Sequence, residues 1–249
     1  MSRDPNDQSV LDLLADPLPE TVQEVLKLQD ELQDLVDRWP PREQADGLAC
    51  FNYLYRIITQ EVWDRLELGT TFHDPEYLAR LDVEFARLYF TAIRADAAGG
   101  TATPRSWQVL FGRRGDDIDP MRFAVAGVNA HVNRDLAFAL LATCEKLDRP
   151  FSEAERADYN AINDIFAEHM SDLRRHFENR FERVLDKAVF DDLADDAGDL
   201  TVLLARDAAW RRAEQLWAVR GKPEFHRESA AIDWRASMIG RAILSFNLV

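Results

Sequence analysis

The chain has 249 residues, of which 47% are hydrophobic, and its 10 glycines and 10 prolines are few, as in a globular protein with a sizeable core. Its formal net charge of −15 would repel the phosphates of a nucleic acid and an anionic membrane. We therefore expect neither a nucleic-acid partner nor a membrane partner. Cys50 and Cys144 stand in different predicted helices and fit two reduced thiols. The N-terminus has no apolar signal segment, so the expected location is the cytoplasm.

Hydrophobic periodicity of the helical kind runs through most of the chain, and no segment shows the alternation of a strand. This periodicity predicts seven helices, at about 20–38, 43–67, 74–95, 121–147, 152–187, 199–220 and 229–247. Asp74 before Pro75 is an N-cap signal for the third helix, and Gly69 is a stop signal for the second. Ser152 and Glu155 form the capping-box pattern of the fifth helix.

The fourth predicted helix, residues 121–147, is apolar nearly all round, as a helix buried in a core is. We therefore predict an all-α fold, a bundle of about seven or eight helices around this central helix. Residues 1–18 are predicted to be a flexible lead-in or a strap, and residues 19–249 a single helical domain.

Residues 96–120 are rich in Gly, Pro, Thr and Asp and are predicted to be irregular. At about 25 residues, this segment is longer than most loops of compact domains. Two interpretations are open. The segment is either a loop that Trp107 and Phe111 pin to the core, or a lid over a binding site.

The central helix carries four polar side chains in the segment GVNAHVNRD, residues 127–135. Because successive helical residues advance by about 100°, Asn129 and Asn133 form one polar pair, on one side of the helix. His131 and Asp135 form a second pair on nearly the opposite side. A buried polar group without a partner costs about 1–3 kcal/mol. The segment therefore needs either structural partners or a functional reason.

The structural interpretation is that the asparagine amides bind irregular backbone, such as that of residues 96–120, while Asp135 fixes His131 or pairs with an arginine. The functional interpretation is that His131 donates or accepts a proton and is oriented by Asp135 one turn away. Asn129 and Asn133 would then orient a polar substrate. The second interpretation predicts a small-molecule ligand and requires no cofactor.

A divalent metal is the alternative to a purely organic site, with His131 and Asp135 as its ligands. Two protein ligands are too few for a catalytic zinc. A third would come from one of four residues: Asp46, Asp82, His169 or His176. The two histidines of this set lie two turns apart among charged residues, which is more typical of a solvated helix face.

Six further residues are candidate ligand contacts, because each is polar or aromatic in an apolar context: Asp46, Asn52, Tyr55, Asp82, Arg87 and Trp107. Each also has a structural interpretation. Asp46 stands where a helix N-cap is expected, next to Gly47. For Asp82 and Arg87 that interpretation is a surface or structural ion pair, and Trp107 could serve only to anchor its loop.

Several stretches of the chain resemble a bacterial family that is known only as a domain of unknown function. The stretches are ADGLACFNYLYRIIT, LDVEFARLYFTA, PRSWQVLF, FAVAGVNAHVNRDLAFAL and RDAAWRRAEQLW, which span about residues 40–240. The hallmark of the family is the pattern Gly-x-Asn-Ala-His-x-Asn-x-Asp-Leu. It matches here at Gly127, Asn129, Ala130, His131, Asn133, Asp135 and Leu136. The resemblance implies that the polar helix is the family signature, and it implies no reaction.

A weaker similarity links the spacing of His131 and Asp135 to all-helical zinc phospholipases and nucleases, which need more histidines than the five present here. The sequence contains no P-loop, dinucleotide fingerprint, nucleophile elbow or HExxH motif. The leading hypothesis is a small-molecule enzyme or binding protein with a polar interior pocket, in which His131 and Asp135 carry out acid–base chemistry. The alternatives are a metal-dependent hydrolase and a non-catalytic helical scaffold or interaction protein.

Overall fold

The computed structural model of the chain describes residues 5–15, 17–39, 45–181 and 196–245, without the side chains of Pro5, 165–174, Phe181 and 196–202. In the described residues the fold consists of ten α-helices and contains no strand. The helices are α1 Pro5–Leu13, α2 Val22–Asp37, α3 Gly47–Leu68, α4 Pro75–Ala97, α5 Arg105–Phe111, α6 Pro120–Ala130, α7 Leu136–Lys146, α8 Glu153–Phe181, α9 Asp196–Ala218 and α10 Pro223–Ser245. The predicted all-α class is confirmed, with somewhat more helices than the sequence predicted.

The predicted irregular segment 96–120 contains a helix, α5, which corrects the sequence analysis. The side chains of Trp107, Leu110 and Phe111 are all buried, so the short helix is held by its apolar face. Its N-terminus has no local side-chain cap. Instead, the carboxylate of Asp233 on α10 accepts hydrogen bonds from the backbone N–H groups of Arg105 and Ser106. No sequence pattern near α5 could show this distant cap.

The local signals at the helix ends are confirmed where the structure describes them. Asp74 accepts a hydrogen bond from the backbone of Tyr77 at the start of α4, and Pro75 is the first residue of that helix. Gly69 ends α3 with a φ of 66°, a left-handed conformation that glycine adopts without strain. Helix α10, however, begins at Pro223 and not near residue 229.

Part of the predicted lead-in is helical. Helix α1 packs against α2 and α4, and its Val10 is buried, as is Leu14 just after its end. The backbone carbonyl of Leu14 also accepts a hydrogen bond from Arg94 on α4. The division of the chain into a lead-in of residues 1–18 and one domain of residues 19–249 stays a prediction.

The predicted central helix is present as α6 and α7, with one wider turn between them, His131–Asp135. This turn lies between two hydrophobic clusters. The first is built mainly from α2, α3, α5, α6 and the second half of α4, and the second mainly from α7, α8, α9 and the first half of α4. Phe85 and Val128 pack against both clusters. The polar segment of the sequence therefore lies where the two cores meet.

Two glycines allow α3 and α6 to cross at close range. Gly127 on α6 lies against the ring of Phe51, and Gly47 on α3 lies against the ring of Phe123. A Cβ atom at Gly127 would lie 2.3 Å from Phe51, and one at Gly47 would lie 2.6 Å from Phe123. Gly127 is thus required for packing, which accounts for a glycine beside the polar segment.

We predict that Gly127→Ala lowers the free energy of unfolding by about 1–3 kcal/mol, the usual effect of overpacking a core. The physical reason is that the added methyl group overlaps Phe51, which is 2% exposed and has no room to move away. Urea unfolding of the variant measures the loss. The double variant with Phe51→Leu should recover part of it; a loss that is the same in both backgrounds would contradict the packing explanation.

Candidate functional site

Residues His131–Asp135 form a single π-helical turn, in which the N–H of Leu136 donates to the carbonyl oxygen of His131 five residues earlier. Such turns are rare, occur mostly as single turns inside α-helices and are frequent at functional sites. Side chains four positions apart lie on the same side of such a turn, as they do on an α-helix. The local backbone therefore aligns His131 with Asp135.

His131 and Asp135 form the predicted pair, with 3.1 Å between Nδ1 of the imidazole and Oδ2 of the carboxylate. Both side chains are buried, at 2% and 0% exposure. Two other donors bind the same carboxylate. Nε1 of Trp107 donates to Oδ2 at 2.8 Å, and Nη1 of Arg134 donates to Oδ1. Asp135 thus binds three donors from two segments of the chain.

The charge of Asp135 is stabilised by these partners. Burial by itself would raise the pKa of the carboxyl group, but the charge of Arg134 and the hydrogen bonds from His131 and Arg134 together hold this pKa below its ordinary value. Asp135 is therefore ionised and can only accept hydrogen bonds.

A long ion pair between Arg134 and Asp233 extends the contacts around Asp135 to α10. Nε of Arg134 lies 3.9 Å from Oδ1 of Asp233, the carboxylate that caps α5. Helix α5 in turn carries Trp107, which donates to Asp135. The network connects the π turn to α5 and α10, so the position of the carboxylate is fixed from three sides.

His131 lies inside a cage of aromatic side chains. Five rings have their centroids within 6.0 Å of the imidazole centroid: Phe51, Tyr55, Phe85, Tyr89 and Trp107. Phe85 stacks parallel to the imidazole at 3.4 Å, and Tyr55 meets it edge to face at 4.5 Å. Phe85 is only partly buried, so the cage is thinnest on the side of α4.

The imidazole of His131 is neutral at physiological pH. Burial lowers its pKa, and the neighbouring Asp135 opposes this shift only in part. Because the carboxylate only accepts hydrogen bonds, Nδ1 must carry the proton, and Nε2 is left with a free lone pair. Nε2 is buried and has no hydrogen-bond partner among the residues that the structure describes. A buried atom that could accept a proton is thus held in one orientation.

Asn129 and Asn133 contact different parts of the structure from His131 and Asp135. Nδ2 of Asn133 donates to Oδ1 of Asn129 at 3.2 Å, which confirms the second predicted pair. Nδ2 of Asn129 donates to the carbonyl oxygen of Ala236 on α10 at 2.8 Å, and Arg212 donates to the carbonyl oxygen of Asn133. The expectation that the amides hold residues 96–120 is wrong, because α6 packs on α10 at this point. Of the four polar residues, Asp135 is the one that hydrogen-bonds to residues 96–120, by accepting from Trp107.

Asp82 lies one turn before Phe85 on α4, next to the cage. Its side chain is only partly exposed, and its Oδ2 atom is buried without a hydrogen-bond partner in the described part of the chain. Burial raises the pKa of this carboxyl group to about 7. The hydroxyl group of Tyr55 also makes no hydrogen bond of ordinary length to a described residue. Burial, and after it the charge of Asp82, raises the pKa of Tyr55 well above its usual value.

Three other predicted contacts have structural partners. Asp46 caps α3 by accepting from the N–H of Leu48, as its structural interpretation predicted. Nδ2 of Asn52 donates to Gln29 and Gln33 on α2. Arg87 donates to the carbonyl oxygen of Pro19 and to Glu20. Arg87 therefore forms a structural ion pair with Glu20, just before α2, and not with Asp82.

The residues named for a metal do not come together in the described structure. Asp46 lies at the start of α3, and His176 lines a surface groove of about 360 Å³ between α2, α3 and α8. The side chain of His169 lies outside the described residues. Among the side chains that are described, no three of His, Cys, Asp or Glu are close enough to hold a metal ion. The metal hypothesis stays a prediction.

Comparison with protein families shows which family the chain belongs to. A family of unknown function, DUF5995, matches residues 22–246, which include every element from α2 to α10. The chain belongs to DUF5995. No curated protein and no solved structure matches it. Because the family has no assigned activity, a function for this DUF5995 chain has to be argued from its site. In the described residues, no helix is long and apolar enough to cross a membrane.

Three residues that shape this DUF5995 site are not among the candidates predicted from the sequence. Phe85 stacks on His131, and in the sequence it is one of many apolar positions on the third predicted helix. Arg134 stands inside the polar segment between two residues that were singled out, so its position was an available signal. Asp233 gave no signal, because it acts on α5 from 128 positions away in the sequence.

Proposed function

We propose that this protein binds a small polar molecule beside His131 and that His131 acts on it as a general base. The observation that carries the proposal is the state of the imidazole. Its Nδ1 is tied to an ionised carboxylate, while its buried Nε2 has no partner among the described residues. An imidazole that is neutral, oriented by a carboxylate and free at Nε2 is what proton abstraction requires.

The surroundings support the same proposal. A purely structural histidine in a core gains stability by using both nitrogens, because a buried unsatisfied group costs about 1–3 kcal/mol. In the described part of this protein, Nε2 of His131 is such an unsatisfied atom. It occurs together with a π turn and with three donors that fix the position of Asp135. Local features that lower stability are typical of functional sites. Ligand entry on the side of α4 requires a movement of Phe85, the partly exposed ring of the cage.

The proposal is tested by NMR on protein labelled with ¹⁵N at histidine, in the presence of a library of small polar fragments. We expect Nδ1 of His131 to be protonated and Nε2 to be unprotonated at neutral pH, and we expect a subset of fragments to shift the Nε2 signal. Those fragments should bind about tenfold more weakly to His131→Phe, which keeps a ring but removes the acceptor.

The exposed His226 provides the matched control, because it makes no contact with the cage. The variant His226→Phe should bind the same fragments as the unmodified protein. Two results would contradict the proposal: no fragment shifts the Nε2 signal, or the fragments that do so bind His131→Phe equally well.

A further inference from the structure

Three buried hydrogen-bond acceptors without a described donor belong to side chains in the neighbourhood of Tyr55 on α3. They are Oε1 of Gln29, Oδ2 of Asp82 and Nε2 of His131, all buried and without a hydrogen-bond partner in the described residues. The orientation of Gln29 follows from its neighbour. The hydroxyl group of Thr59 donates to the carbonyl oxygen of Tyr55, so its oxygen must accept from Nε2 of Gln29, which leaves Oε1 as the free acceptor.

The antiparallel packing of α3 and α4 brings these atoms to one place. Phe51 faces Tyr89, with 5.1 Å between ring centroids, and Tyr55 faces Phe85 at 5.9 Å. The next pair in this register is Thr59 on α3 and Asp82 on α4. Gln29 binds Thr59, whose hydroxyl group donates to the Tyr55 carbonyl oxygen, and His131 meets the Tyr55 ring at 4.5 Å. The charge of Asp82 raises the pKa of the Tyr55 hydroxyl group, so all three side chains lie in the neighbourhood of Tyr55.

The carboxylate of Asp82 has no basic partner in the described structure. The basic side chains nearest along α4 serve other groups. Arg87 binds Glu20, and Arg80 binds Glu20 and Glu84. Lys146 on α7 also pairs with Glu84, at 3.7 Å. Among the described residues, Asp82 therefore has no counter-charge, although unpaired acceptors and the rings of Tyr55 and Phe85 lie near it.

We infer that this place binds a small organic ammonium group, whose N–H donors reach Asp82 and Gln29 and whose charge lies against the rings of Tyr55 and Phe85. An ammonium group donates hydrogen bonds to acceptors, balances the charge of a carboxylate and is attracted to aromatic faces. It therefore matches the unpaired acceptors, the carboxylate of Asp82 and the aromatic rings. The inference rests on the proposed function. It assigns the bound molecule to the class of organic ammonium compounds. The portion of that molecule that adjoins the ammonium group would then lie beside His131.

The test compares butylammonium chloride with 1-butanol, which has nearly the same shape and no charge. Binding is followed by NMR at neutral pH. We expect the dissociation constant of butylammonium to be lower than that of butanol by about tenfold or more. In Asp82→Asn the two probes should bind about equally, because the counter-ion is gone. Glu84→Gln is the matched control on the same helix and should leave the ratio unchanged.

The same three proteins distinguish binding at this site from non-specific binding of butylammonium to the acidic surface. Such binding would persist in Asp82→Asn, and that result would overturn the inference, as would a butanol affinity equal to that of butylammonium in the unmodified protein. If neither probe binds while polar fragments still shift the Nε2 signal of His131, the ammonium inference is wrong and the proposed function stands. If butylammonium depends on Asp82 but no ligand shifts the Nε2 signal, the inference stands and the proposed base does not.

Discussion

Replacement of Asp135 by asparagine is expected to lower the free energy of unfolding by about 3–5 kcal/mol, the usual effect of removing one partner from a buried ion pair. The carboxylate accepts from Trp107, His131 and Arg134, and it is fully buried. The amide that replaces it has one acceptor oxygen, and its own N–H₂ group must face at least one of those donors. Urea unfolding followed by tryptophan fluorescence measures the loss directly.

His131→Phe is the matched comparison and is expected to stay within about 1 kcal/mol of the unmodified protein. The phenyl ring preserves the contacts with the aromatic cage. The variant loses the hydrogen bond to Asp135, and it also removes Nε2, which is buried without a described partner. These two effects are of similar size and opposite sign. A loss as large as that of Asp135→Asn would mean that His131 serves mainly to hold the structure, and it would count against the proposed base.

Helix positions could be predicted because their signals are local. The end of α3 at Gly69 and the start of α4 at Asp74 follow from residues within one turn of each boundary. Helix α5 was missed because its stability comes from Asp233, on a helix that is distant in the sequence, and from the burial of Trp107. Short helices held by tertiary contacts lack a pattern of their own.

The polar segment of the central helix was recognised from the sequence, but the roles of its residues were only partly predictable. Helical geometry was enough to pair His131 with Asp135 and Asn129 with Asn133. It could not show that one turn is π-helical, nor which helix would face each pair. The asparagines contact α10 and not residues 96–120, so that part of the expectation was wrong. Asp135 binds His131 and an arginine, as expected, and it also accepts a hydrogen bond from Trp107 on α5. Which neighbour a polar side chain meets is decided by packing over the whole chain.

Asp82 should make the protein less stable as the pH rises, and Asp82→Asn should remove this effect. Burial raises the pKa of the folded carboxyl group to about 7, from an ordinary value of 3.8. Between these values the folded protein binds more protons than the unfolded chain, so the free energy of unfolding falls as the pH rises through the window. The full difference corresponds to about 4 kcal/mol. We expect Asp82→Asn to match the unmodified protein at the acidic end of the window and to be clearly more stable above pH 7.

The difference between the two proteins isolates Asp82, because other titrating groups contribute equally to both. His131 acts in the opposite direction: its pKa is lowered by burial, so the stability it is linked to is lost as the pH falls below its ordinary value of 6.5. Chemical unfolding at a series of pH values gives the difference curve, with Glu84→Gln as the control. A flat curve would show that Asp82 is already neutralised by a charge, and the ammonium inference would then lose the carboxylate on which it depends.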